Sequence, residues 1–129
     1  MSGSGQTQLL PEADREFLDE KGYCYDVQQA GDIFVAIRDF TLPEAYSPRS
    51  CILLLKLPVG YPNANPDMFW TTPNVRLANG GEPVATQAIE VYLNQSWQRW
   101  SRHTNSWRPG IDNIQTKLRA VVSELAKGR

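Results

Sequence analysis

Apolar residues recur along this chain with two different periods. Around residues 32–40 they alternate: Ile33, Val35 and Ile37 fall on one side of an extended backbone, and Phe34, Ala36 and Arg38 on the other. Towards the C-terminal end, Ile111, Ile114, Leu118, Val121, Val122 and Leu125 follow the three-to-four spacing of a helix stripe. The first pattern predicts strands over 23–29 and 32–40, joined in a hairpin at Ala30-Gly31. The run Cys51-Ile-Leu-Leu-Leu-Lys-Leu57 is the most apolar and predicts a central strand. Met68-Phe-Trp-Thr-Thr72, aromatic and β-branched, predicts a fourth. A helix is expected over 10–21. Pro11 suits its first position, Glu12 and Asp14 its positive end, and Gly22 its stop, with Leu10, Ala13, Phe17 and Leu18 as the buried stripe. The last helix is expected to begin within a turn of Pro109, with Lys127 and Arg129 at its negative end.

Between these elements the chain is punctuated by turn formers. Residues 1–8, rich in Ser, Gly and Gln, read as a disordered tail, leaving 9–129 as one domain. Thr41 to Arg49 carries Pro43 and Pro48 and reads as a loop. Val75 to Ser106 is too long for an ordinary connection. It holds a turn at Asn79-Gly80-Gly81, and Ala88 to Leu93 reads as a short strand or a helical turn. The expected fold is therefore α+β: an N-terminal helix, a four-stranded antiparallel meander, a long irregular loop and a C-terminal helix.

Composition narrows the function classes. At 129 residues the chain suits one core, and its formal net charge of -1 creates no global field for nucleic acid or an anionic membrane. No apolar run approaches the ~20 residues that span a bilayer, and no charged-then-apolar leader opens the chain, so a cytoplasmic protein is expected. Cys24 and Cys51 both fall in strand-like segments and are expected to be buried and unpaired. With His103 the one histidine, neither a metal site nor a cofactor is expected.

The stretch from Tyr61 to Asn74 is where the pattern turns towards function. Tyr61-Pro62 and Pro66 make a stiff corner, a short strand follows, and Thr72-Pro73-Asn74 ends it. This resembles the central motif of ubiquitin-conjugating enzymes, which read Tyr-Pro-x-x-Pro-Pro, a Phe strand, then His-Pro-Asn. The resemblance extends over 9–125: Asn79-Gly80-Gly81 stands where the family turns before its catalytic cysteine, and Trp107-Arg-Pro109 resembles its Trp-Ser-Pro. Pro66-Asp-Met-Phe69, Trp97-Gln-Arg-Trp-Ser-Arg-His103 and Trp107 to Asp112 are similar to the bacterial branch called prokaryotic family E. The resemblance implies the ubiquitin-conjugating (UBC-like) fold, a cis Tyr61-Pro62 bond, and partners in a ubiquitin-like pathway: a ubiquitin-like protein and an activating-enzyme-like adenylating protein.

The departure from the motif matters as much as the match. The catalytic cysteine would fall at Glu82 or Pro83, and no cysteine follows Cys51. A carboxylate or hydroxyl there does not replace a thiolate in acyl exchange without strong activation. Thr72 replaces the histidine. Asn74 matches the asparagine that steadies the oxyanion in the family. This pattern implies a conjugating-enzyme-like binding protein, with Leu77, Asn79, Gly80, Gly81, Glu82, Arg99, Arg102 and His103 as partner-facing residues.

Two alternatives stand beside it. One is an unconventional acyl-transfer or hydrolytic site around Asn74, Glu82 and His103, with Ser101, Thr104 and Ser106 as nearby hydroxyls. The other is a nucleic-acid or peptide-binding module. The cluster Trp97, Trp100 and Trp107 reads first as packing of the long loop on the last helix, then as a partner surface, then as a base-stacking platform. His103 reads first as a structural hydrogen-bonding residue, then as a partner contact, then as a base.

Overall fold

The computed structural model describes residues 3–103 and 106–129, so Thr104 lies outside the described residues. Strand β1 is Gly3–Gly5, followed by a 3-10 turn at Thr7–Leu9 and helix α1 at Glu12–Glu20. Then come β2 (Cys24–Ala30), β3 (Asp32–Thr41), a short β4 (Tyr46–Ser47), β5 (Ser50–Leu57) and β6 (Phe69–Thr72). A short β7 (Arg76–Leu77), β8 (Ile89–Tyr92), β9 (Gln95–Trp100) and helix α2 (Ile114–Ala126) complete the order. The α+β class and the helix, meander, helix order are those expected.

Among the described residues the main sheet runs β1-β2-β3-β5-β6-β9-β8, and β4 pairs with β7 alone. The β2–β3–β5–β6 meander is antiparallel throughout, while β1 joins β2 in parallel. The sequence reading expected disorder at the start of the chain. Instead Gly3–Gly5 lies along β2, and Gln6 secures the chain there: its N–H donates to the Val27 carbonyl and its Oε1 accepts from the Gln29 N–H. Backbone pairing needs no apolar side chain, which is why composition did not reveal it.

The expected irregular region also carries a hairpin. Strands β8 and β9 meet through Leu93-Asn94, both with positive φ (54° and 60°), and β9 then pairs with β6. Such a two-residue turn is usually signalled by Asn-Gly, and Leu at its first position hides it.

Both sheet faces carry an apolar cluster. On one, Val35, Ile37, Leu53, Leu55, Phe69 and Trp100 meet Leu18 of α1 and Ile114, Leu118, Val121 and Leu125 of α2. On the other, Phe34, Leu54, Trp70 and Trp97 form a second cluster, roofed by Tyr92 and Leu93 from the hairpin turn. The Tyr92 ring lies 5.0 Å from Phe34 and edge-on to Trp70 at 5.5 Å, with Lys56 Nζ over its face at 5.1 Å.

Helix α2 starts later than Pro109 suggests. Residues 109–111 form a turn, with Gly110 at φ 79°, and the helix begins at Ile114 behind an Asn113 cap. Asn113 accepts from the Gln115 and Thr116 N–H groups, and the Thr116 side chain accepts from the Asn113 N–H. Ile111 and Val122, expected in the stripe, are exposed; Lys117 is buried instead.

A parallel exchange occurs in α1, where Ala13 is exposed and Asp14 is 1% exposed. Asp14 accepts from the Tyr61 hydroxyl and, at 3.5 Å, from the Ile114 N–H, so one carboxylate ties α1, the Tyr61-Pro62 corner and the start of α2. Burial raises its pKa against the opposing pull of those two donors. Asp14→Asn keeps an acceptor without the buried charge and should change stability by no more than about 1 kcal/mol near neutral pH. Asp14→Ala strands two donors and should cost about 2 kcal/mol or more in urea unfolding. Because the folded-state pKa is raised, the wild type should lose stability relative to Asp14→Asn as pH climbs from the ordinary carboxylate range through the raised value.

Candidate functional site

The end of β6 is held by a side chain that the sequence reading passed over. Gln98 of β9 is 5% exposed and points at Thr71 and Val75. Its Oε1 accepts from the Val75 N–H (2.7 Å) and the Thr71 hydroxyl (3.0 Å), and its Nε2 donates to the Val75 carbonyl (2.9 Å). The amide thus satisfies both backbone groups of Val75 as a neighbouring strand would. The Trp100 indole N–H donates to Thr71 Oγ1 and closes the network. The backbone leaves β6 through a cis Thr72-Pro73 bond, and Tyr61-Pro62 is cis as the resemblance implied.

The loop that follows is tightly folded. Leu77 N–H donates to the Gly81 carbonyl, Gly80 N–H to the Leu77 carbonyl, and Gly81 N–H to Asn79 Oδ1. The β4–β7 pair and the Ala78 N–H to Ala45 carbonyl bond hold its base. Asn74, Asn79, Gly80, Gly81 and Glu82 are exposed, Leu77 is half-buried and Pro83 is buried. The buried Thr86 hydroxyl donates back to the Pro83 carbonyl, and Val84, next along, is 52% exposed.

Arg102 meets this loop from below. Its guanidinium donates to the Val84 carbonyl and to the Arg129 carbonyl and stacks on Trp100 at 4.7 Å. Its side chain is only 7% exposed, so it is built into the fold, not solvated. Arg99 is half-buried and pairs with Glu90 at 3.2 Å. The structure therefore brings Arg102 to the loop but commits both arginines to internal partners.

His103 faces elsewhere. Its Nδ1 lies 2.7 Å from Asp67 Oδ2, ahead of β6, whereas Val75, beside Asn74, is clamped at Gln98, past the other end of β6. Asn74 and His103 thus sit off opposite ends of one strand and do not share a constellation. Trp97 and Trp100 are buried on opposite sheet faces; Trp107 is half-buried, its N–H donating to the Pro62 carbonyl.

The two cysteines differ. Cys51 is buried, as expected, and burial pushes its thiol up to about 12. Cys24 is exposed, against expectation, because β2 alternates and turns it away from the helices while Tyr25 and Val27 face them. It is three strand steps from β6, roughly 14 Å across the sheet.

A second polar cluster lies under α2. Lys117 is 5% exposed, and burial pushes its pKa down to about 8, with the Asp67 carboxylate pulling the other way. Asp67 Oδ1 and Arg102 Nη1 are buried without a hydrogen-bond partner. Among the described residues no group of His, Cys, Asp and Glu has the geometry to hold a metal ion. Among the described residues, no helix is long and apolar enough to cross a membrane.

Compared with known protein families, residues 10–128 match the family model described as prokaryotic E2 family E. No curated protein and no solved structure matches.

Two predictions test this geometry. Gln98→Leu keeps the bulk but strands both Val75 groups and the Thr71 hydroxyl proton; it should cost about 2–4 kcal/mol in denaturant unfolding. Lys117, with its folded-state pKa lowered, binds its proton less tightly folded than unfolded, so stability should rise as pH climbs from about 8 towards the ordinary lysine range. Lys117→Met should flatten that rise and stabilise the protein at pH 7 by about 1–3 kcal/mol.

Proposed function

This chain belongs to prokaryotic E2 family E, and we propose that it serves a ubiquitin-like pathway as a binding protein that performs no thioester exchange. The observation that carries this reading is the pair Glu82-Pro83 at the position of the nucleophile. Glu82 is exposed with a carboxylate, and Pro83 is buried with no reactive group. Neither cysteine substitutes. Cys51 is buried with a raised thiol pKa, and Cys24 lies three strands away. Asn74, the residue that would steady an oxyanion, is exposed, and the thiol across the sheet near it, Cys51 beside Thr72 and Pro73, is buried.

The surface offered to a ubiquitin-like protein is the loop from Leu77 to Val84. Its backbone is pinned by the internal bonds of the turn and by Arg102 at its far end. It presents Asn79, Gly80, Gly81, Glu82 and Val84 to solvent. A rigid, exposed loop with one apolar side chain and one carboxylate suits reversible docking, since little ordering entropy is lost on binding. Arg99, Arg102 and His103 contribute by positioning, because each is already engaged. An adenylating, activating-enzyme-like protein is the second partner this reading names. The protein works in the cytoplasm on this reading.

The test is incubation with a ubiquitin-like protein, its adenylating enzyme and ATP. No thiol-sensitive band should appear on a denaturing, non-reducing gel, while reversible binding persists in a titration. Glu82→Arg together with Val84→Ser should weaken that binding by about fivefold or more. Cys24→Ser should leave it unchanged. A thiol-sensitive adduct that vanishes with Cys24→Ser or Cys51→Ala would overturn the reading and make the protein an active carrier.

A further inference from the structure

Helices α1 and α2 pack on the same face of the sheet, and a groove of about 340 Å³ opens between them. Side chains four apart make its two ridges: Phe17 and Lys21 from α1, Leu118 and Val122 from α2. Tyr23 lines it as well, its ring stacked on the core ring of Phe40 at 6.3 Å. Leu118 is buried, Phe17 and Tyr23 are half-buried, and Val122 is 51% exposed. The periodicity that buries Leu118 therefore runs on into an apolar residue with no cover. Two charged side chains line the groove, Lys21 and Arg119; both are cationic and exposed, and no lining residue is acidic. Among the described residues neither has an ion-pair partner. The form of an occupant follows from backbone hydrogen bonding. The N–H groups of both helices turn inward along their own ladders, and the Tyr23 N–H donates to the Leu18 carbonyl. An extended segment laid here would find no backbone donor, whereas a helix satisfies its own backbone groups.

We propose that the groove between α1 and α2 docks an acidic amphipathic helix of a partner protein. Its apolar side chains enter between Phe17, Tyr23 and Val122 over Leu118, and its carboxylates meet Lys21 and Arg119. Charge complementarity selects the acidic partner: two cations without internal partners gain from carboxylates and repel a basic helix. The apolar ridges supply the burial that holds the helix once it has docked. The groove shares no residue with the loop from Leu77 to Val84, so this contact is separate from the docking at that loop and does not rest on it.

The probe is a synthetic helical peptide of about 16 residues, with leucines spaced three and four apart and glutamates beside them. Titrated into the isotope-labelled full chain, it should shift the amide signals of Gln115, Arg119, Val122 and Ser123 and bind with a Kd of about 100 μM or tighter. Exchanging its glutamates for lysines should weaken binding about tenfold or more, and a central proline should abolish it. Lys21→Glu with Arg119→Glu should reverse the preference in favour of the lysine peptide. Val122→Glu, at an exposed position, should abolish binding of the glutamate peptide while the circular dichroism spectrum and unfolding midpoint stay those of the wild type. Equal affinity for the two peptides, equal affinity for the proline peptide, no binding at about 1 mM, or shifts confined to the loop at 77–84 each overturn the proposal. So does sedimentation of the protein alone as a dimer that Val122→Glu dissociates, which makes a second copy the occupant.

Discussion

The Gln98 amide is the constraint on which the functional face depends. A strand that ends in Thr72-Pro73-Asn74 has no neighbour to take up the next backbone groups, and Val75 is 1% exposed. Burying an N–H and a C=O unpaired costs several kcal/mol in an apolar setting. One primary amide, with a donor and an acceptor on the same plane, meets both needs at once. Because Thr71 and Trp100 share the network, the position of Val75 is coupled to the main core and not only to the loop. The exposed residues from Asn74 to Glu82 hang from that anchor.

Helix α2 shows the same economy of polar burial at its N-terminal end. Asp14 reaches it from α1, and Asp112 accepts from the Arg108 N–H and side chain just before the cap. The Arg108 guanidinium holds the Asp112 carboxyl below its ordinary range. Both carboxylates sit at the positive end of the helix dipole, where negative charge is favoured. Lys117, deeper in the helix, is opposed by burial more than the Asp67 carboxylate offsets, and its depressed pKa records the difference.

Legibility in the sequence followed from how local each signal was. The meander strands and both helices were readable because period and breaker residues lie within a few positions of each other. The hairpin of β8 and β9 was hidden because Leu93-Asn94 adopts positive φ without glycine. The start of α2 is obscured because Pro109 looks like a first helical residue, while the Asn113 and Thr116 cap decides the start. Asp14, Gln98 and Lys117 share a different obstacle. Each is polar by type and buried by long-range contact, and a lone sequence carries no sign of partners 23 or 100 positions away. Cys24 was readable in principle, since Tyr25 and Val27 fix the inward face of β2 and leave Cys24 outward.

The architecture of the loop does not depend on which residues stand at Glu82 and Pro83. Among the described residues, no hydrogen bond that shapes residues 74–84 uses the side chain of Glu82 or Pro83. The turn closes through backbone groups of Leu77, Gly80 and Gly81, with Asn79 as its one side-chain acceptor. The entry is clamped by Gln98 and the exit by Arg102. Chemistry at such a position is therefore energetically separable from architecture: exchanging the residue there changes reactivity and leaves the scaffold's hydrogen bonds intact. That separability is what lets one fold serve both as an acyl carrier and as a docking surface. With a carboxylate at Glu82 and a pyrrolidine ring at Pro83, the second role is the one we propose for this chain.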